Sequence, residues 1–117
     1  MTVRIYHNPR CSKSRQTLQL LEEHSITPEV VEYLKNPPDQ EELAKLLDML
    51  GLEPRELMRR KEKEYQESGA DNPDLTRDEL IALMVRHPKL IERPIVVKDG
   101  KAALGRPPES VLDILST

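Results

Sequence analysis

The spacing of apolar residues changes along the chain. Val3 and Ile5 alternate with Arg4 and Tyr6, which predicts a short strand. Asn8-Pro9 breaks it. Thr17, Leu18, Leu20 and Leu21 then recur at a spacing that gives one face to a helix beginning near Ser12, and Ser25 and Pro28 end it. Glu29-Val30-Val31-Glu32-Tyr33-Leu34 is rich in β-branched residues and predicts a second strand. Strand, helix and strand make a βαβ unit, which favours parallel strands joined by a right-handed crossover.

The middle of the chain reads as helical. Asn36-Pro37-Pro38 punctuates. Asp39 with Glu42 resembles a capping box, and Leu43, Leu46, Leu47 and Leu50 form an apolar stripe that stops at Gly51. Pro54 suits the first turn of another helix running through Glu56 to Arg60. Lys61 to Asp74 is strongly polar and holds Gly69 and Pro73, so part of it is expected to be irregular and mobile. Thr76 with Glu79 is a second capping box, before Leu80, Ile81, Leu83 and Met84, and His87-Pro88 closes that helix.

Strands return after residue 93. Pro94 to Val97 is short and apolar, Asp99-Gly100 is a hairpin-turn signal, and Lys101 to Leu104 supplies the returning antiparallel strand. Pro107-Pro108 precedes a last helix with Val111, Leu112, Ile114 and Leu115. The order is β-α-β, a helical block, then β-β-α. The expectation is one α/β domain over residues 1–117, with a four-stranded mixed sheet and a helical insertion over about 39–88.

Composition narrows the class. The 117 residues are 37% hydrophobic and 33% charged, with no Phe or Trp, so aliphatic side chains must build a modest core. A net charge of −3 gives no global attraction to nucleic acid. No apolar run approaches the roughly 18 residues of a membrane span, and the N-terminus has no signal-peptide pattern. A single cysteine rules out an internal disulfide and suggests a reducing compartment. These features lead us to expect a soluble cytoplasmic protein.

That cysteine, Cys11, is the main chemical signal. A free cysteine is commonly a small buried hydrophobe. Here it lies where a strand passes into a helix, with Arg10, Lys13 and Arg15 around it. Helix N-termini hold unpaired N–H groups and a positive dipole end, which lower a thiol pKa and attract anions. The environment therefore points to a reactive thiol. Cys11-Ser12-Lys13-Ser14 has the spacing of a Cys-x-x-Cys motif whose second position is Ser14. An oxidised or covalent Cys11 must then be resolved by an outside thiol.

His7, four residues earlier, is either a base that favours thiolate or an exposed loop imidazole. One cysteine with scattered His7, His24 and His87 gives no metal-ligand spacing. Arg93 precedes Pro94 and Arg106 precedes Pro107, both at ends of predicted strands, and Arg59 and Arg60 lie in the helical block. Arginine binds oxyanions through paired donors, although each taken singly reads as a surface residue. The Cys-x5-Arg loop of small phosphatases fails, because position 17 is Thr. The residues alone describe a thiol that attacks an oxyanion or a mixed disulfide.

Ile5-Tyr6-His7-Asn8-Pro9-Arg10-Cys11-Ser12-Lys13-Ser14-Arg15 resembles the active-site loop of the glutaredoxin-linked arsenate reductases, the ArsC family. Tyr33-Leu34 with Asn36-Pro37-Pro38, then Glu92 to Val97, Gly105-Arg106-Pro107-Pro108 and Val111 to Leu115, resemble its other signatures. The resemblance implies a thioredoxin-like fold, a cis bond before Pro94 and Cys11 as nucleophile. By the same likeness His7 favours the thiolate, and Arg59, Arg93 and Arg106 hold the oxyanion. Asn8, Ser14 and Arg15 would support the loop. It further implies arsenate as substrate, glutathione as co-substrate with no bound cofactor, glutaredoxin as partner, and a monomer.

The loop departs from established reductases, which resemble Ala, Gly and Thr where this chain has Arg10, Ser12 and Lys13. This places it nearest a short subgroup. Lack of a second cysteine separates it from the thioredoxin-coupled reductases. The alternative on the same scaffold is a non-enzymatic regulator of the Spx type, or a redox sensor that binds a partner. Spx-type regulators usually carry Cys-x-x-Cys.

Overall fold

The computed structural model describes residues 2–115. The chain divides into two compact units: residues up to Asn36 together with those from Arg93 onward, and Pro37–Glu92 between them. The expected insertion, about 39–88, lies inside the second.

The first unit is a four-stranded sheet. Strand β1 spans Val3–His7, helix α1 Ser12–Glu23, β2 Glu29–Glu32, β3 Ile95–Lys98 and β4 Lys101–Leu104. The strand order is β2-β1-β3-β4. β2 runs parallel to β1, which requires a crossover, and α1 supplies it. β3 is antiparallel to both β1 and β4. The hairpin forms where expected: Asp99 at φ 51° and Gly100 at φ 79° put two positive φ angles in a two-residue turn. β2 stops at Glu32 rather than Leu34, because the N–H groups of Lys35 and Asn36 both turn back to the Glu32 carbonyl.

β1 lies between two strands, so most of it is buried. Arg4 faces Glu29 across the β1–β2 pair in a 2.9 Å ion pair. Ile5 sits opposite Val96 of β3. These two join Val3, Leu21, Val111 and Ile114 in an aliphatic core, with Leu18, Leu20, Ile26 and Ala103 against it. Val111 closes a single 3₁₀ turn, Pro108–Val111, and Ile114 lies in helix α5, Leu112–Leu115. The expected last helix is thus half 3₁₀ and half α.

The second unit holds helices α2 (Gln40–Leu50), α3 (Lys63–Glu67) and α4 (Arg77–Arg86). Asp39 accepts the Glu42 N–H at 2.8 Å, and Gly51 closes α2 in the left-handed conformation at φ 69°. Thr76 and Glu79 form the full reciprocal capping box. Leu43, Leu46 and Leu47 of α2 and Leu80, Ile81 and Met84 of α4 are buried.

One expectation changes here and another holds in part. The helix foreseen from Pro54 to Arg60 is one 3₁₀ turn, Pro54–Leu57. Its continuation is diverted into a bridge between Met58 and Ile91, in which the Arg59 N–H donates to Leu90 and the Glu92 N–H to Leu57, each at 2.7 Å. The polar stretch 61–74 is irregular in part, as expected, with turns on either side of the short α3, and one side chain outside it bonds to it at three points. Arg55 donates to the Tyr65 hydroxyl at 2.8 Å and to the carbonyls of Ala70 and Asn72 at 2.6 Å. Charge-assisted hydrogen bonds here order a segment that has little apolar area to bury. Among the described residues no helix is long and apolar enough to cross a membrane.

The α1 face at Leu21 holds the thiol-bearing helix onto the sheet, and Leu21 is fully buried. Leu21→Ala is expected to destabilise the protein by about 2–5 kcal/mol, read as a lower midpoint in urea unfolding. A loss under about 1 kcal/mol would mean that this packing does not anchor α1.

Candidate active site

The site begins where β1 ends. Pro9 forces a turn, and the Asn8 carboxamide oxygen accepts the Arg10 N–H at 3.0 Å, a local turn that stops the strand. The Cys11 N–H donates back to the Asn8 carbonyl at 3.0 Å. Arg15 reaches from α1 to the Pro9 carbonyl at 3.0 Å and pins the outside of the turn. Cys11 is therefore the N-cap of α1, extended at φ −95° and ψ 124°.

No side-chain oxygen closes this helix end. The backbone N–H groups of Ser14 and Lys13 are directed at the sulfur instead. These are the positions where a capping serine or aspartate would place its oxygen. The sulfur is also near two guanidinium groups. Arg106 brings Nη2 to 3.8 Å from Sγ, and its Nε donates to the Arg93 carbonyl at 2.8 Å. Arg93 is itself buried, and the bond between it and Pro94 is cis. Arg106–Pro107 is also cis, which sequence reading did not anticipate.

Burial by itself pushes the Cys11 thiol up. The Ser14 N–H, the Arg93 guanidinium, the Lys13 N–H and the Arg106 guanidinium act the other way, and together they hold it below the ordinary thiol value. Only 8% of the residue is exposed, so those charges act through little water.

His7 is buried, not an exposed loop imidazole. Its Nδ1 lies 2.6 Å from Ser14 Oγ, which also accepts the Asn8 N–H at 3.0 Å. Burial holds the His7 pKa below its ordinary value, against the pull of Glu32, and Arg15 lowers it further. The imidazole is therefore neutral near pH 7. Its hydrogen bond goes to Ser14, and through Ser14 to the turn.

The structure thus brings Cys11, His7, Asn8, Ser14, Arg15, Arg93 and Arg106 into one unit. Arg59 belongs to the other. There its Nη1 pairs with Glu62 at 2.7 Å and its Nε with Glu92 at 3.7 Å. The backbone donors of Lys13 and Ser14 were missed by name, although a cysteine at an N-cap implies them.

A family model described as the ArsC family matches residues 6–114. The Escherichia coli K12 protein YfgD is 56% identical over 114 residues, covering 97% of this chain and 96% of its own. An arsenate reductase of Neisseria meningitidis serogroup B is 52% identical over 114 residues, covering 97% of each chain. The solved structure of an arsenate reductase from Vibrio cholerae matches with a TM-score of 0.95 at 56% identity, covering 97% of this chain and 98% of that one.

A thiol held below its ordinary value loses its proton in the folded state before the unfolded chain does. The stability this adds is complete above the unfolded value of about 8.5 and is lost as pH falls through the folded value. The alkylation of Cys11 by iodoacetamide is expected to reach half its maximal rate below that ordinary value, and Arg106→Ala to move the midpoint up. A wild-type midpoint at or above about 8.5 would remove the thiolate assignment.

Proposed function

The chain belongs to the ArsC family, with its thioredoxin-like α/β fold, and from this we propose that it is an arsenate reductase with Cys11 as nucleophile. The observation that carries the reading is the pairing of an acidified, nearly buried thiol with two guanidinium groups at an open helix end. That is the environment needed by a nucleophile whose target is an anion. A thiolate and an oxyanion repel, and fixed positive charge must offset the repulsion as they approach.

In the proposed reaction, arsenate binds with its oxygens against Arg93, Arg106 and loop N–H groups. The Cys11 thiolate attacks arsenic, an S–As bond forms and an As–O bond breaks, with the oxygen leaving as water. Glutathione then attacks the adduct at sulfur. The S–As electron pair stays with arsenic, which passes from As(V) to As(III) and leaves as arsenite. Cys11 remains in a mixed disulfide with glutathione, and glutaredoxin reduces it. Ser14 cannot perform this last step, which supports an external thiol.

His7 acts as a positioning residue in this scheme. As a neutral imidazole it holds Ser14, and Ser14 holds Asn8 and the first turn of α1. Arg59 is assigned to the oxyanion through the family likeness, and engaging arsenate would mean sharing or leaving Glu62.

The test is arsenate-dependent NADPH oxidation with glutathione, glutathione reductase and glutaredoxin. Turnover is expected in the wild type and none in Cys11→Ser. Arg93→Ala is expected to weaken arsenate binding by about 1.5–3 kcal/mol, roughly 10- to 150-fold. The exposed Arg10→Ala should cost under about 0.5 kcal/mol. No wild-type turnover would end the arsenate reading, and equal effects of the two substitutions would reject the assigned roles.

A further inference from the structure

Gly105 sits between β4 and Arg106 and is not required there by its backbone conformation. Its φ lies outside the left-handed region that favours glycine, which Gly51, Gly69 and Gly100 occupy. What Gly105 lacks is space. A Cβ at this position would overlap Thr17 Oγ1, lie 2.7 Å from Pro94 Cγ and 3.0 Å from Thr17 Cγ2.

Neither wall can yield easily. Thr17 is fully buried, β-branched and on α1, and its hydroxyl donates to the Lys13 carbonyl at 2.8 Å. Pro94 is a closed ring whose carbonyl accepts the Gly105 N–H at 2.9 Å. A side chain at 105 would therefore displace the segment that carries it, or α1, or both. The next residue along that segment is Arg106, whose Nε holds the Arg93 carbonyl and whose Nη2 reaches Cys11. The helix on the other side of the seam begins at Cys11.

We propose that Gly105 is a positioning residue for the thiol: its bare Cα lets the Arg106 segment lie against Thr17 and Pro94, and this close approach sets the Arg106 guanidinium beside Cys11. The proposal rests on the reading of Cys11 as the nucleophile. Thr17 is its counterpart on α1, so the seam couples the helix end that holds the sulfur to the segment that holds the cation.

The experiment is the pH dependence of Cys11 alkylation by iodoacetamide, measured on the full chain beside urea unfolding. Gly105→Ala is expected to raise the midpoint by at least about half the displacement that Arg106→Ala produces. Thr17→Ala alone removes a wall without adding a clash and is expected to move the midpoint by less than Gly105→Ala does. It removes two of the three contacts, so Thr17→Ala/Gly105→Ala should recover about half or more of the displacement. If Gly105→Ala does not fold, the double variant carries the test and is expected to fold with a midpoint between those of the wild type and Arg106→Ala.

A folded Gly105→Ala with the wild-type midpoint overturns the proposal, since its role is then only one of packing. A double variant no nearer the wild type than Gly105→Ala also overturns it. So does a double variant that is unfolded, or as displaced as Arg106→Ala, where the single variant fails to fold. The titration uses no arsenate. A wild type that does not turn over arsenate but shows these shifts loses the proposed substrate and keeps this role for Gly105.

Discussion

The structure depends on a sulfur atom standing where a helix would ordinarily be capped by oxygen. Burial of Cys11 opposes its ionised form, and four groups reverse that opposition: two backbone N–H groups of α1 and two guanidinium groups. None suffices by position alone. The N–H groups face the sulfur because Pro9 and the Asn8 turn bring the chain into α1 with Cys11 extended. The guanidinium groups come from chain more than eighty residues later, brought beside β1 through the antiparallel pairing of β3. The sheet order β2-β1-β3-β4 puts β1 inside the sheet, so the loop at its end is held from both sides.

Ser14 is more than a missing cysteine. Its hydroxyl accepts the Asn8 N–H and meets His7 Nδ1, so it holds together the turn before the helix and the end of β1. A sulfur there would be a longer and weaker hydrogen-bond partner. The side chain that would have resolved a disulfide thus serves the loop geometry that activates the first thiol. Burial keeps the His7 that meets this hydroxyl neutral, since an imidazolium in that place would lack solvation.

Much of this was legible in sequence, and the limits have physical reasons. The β1–Cys11–α1 junction was readable because strand alternation, a proline break and a helical stripe follow one another within twenty-odd residues. The Asp99-Gly100 hairpin, the Asp39 N-cap and the Thr76–Glu79 capping box were readable because each is a local rule. The end of the helix after Pro54 was not, because the backbone of Met58 to Glu92 closes a bridge between residues more than thirty apart. The order within 61–74 was also hidden. One arginine, Arg55, supplies it from outside the segment.

The thiol's own environment divides along the same line. The helix-end contribution follows from the position of Cys11 in a local pattern. The contribution of Arg93 and Arg106 follows from the sheet, and Arg-Pro at two strand ends only hinted at it. Gly105 falls in the least legible class. Nothing in its local pattern separates it from a glycine needed for a turn, and its importance appears only when Thr17, Pro94 and Arg106 are seen around it. A nucleophile can be placed by a short motif. The charge that makes it acidic has to be delivered by close packing, and in this chain a glycine with no room for a Cβ lies one residue from the cation that reaches the sulfur.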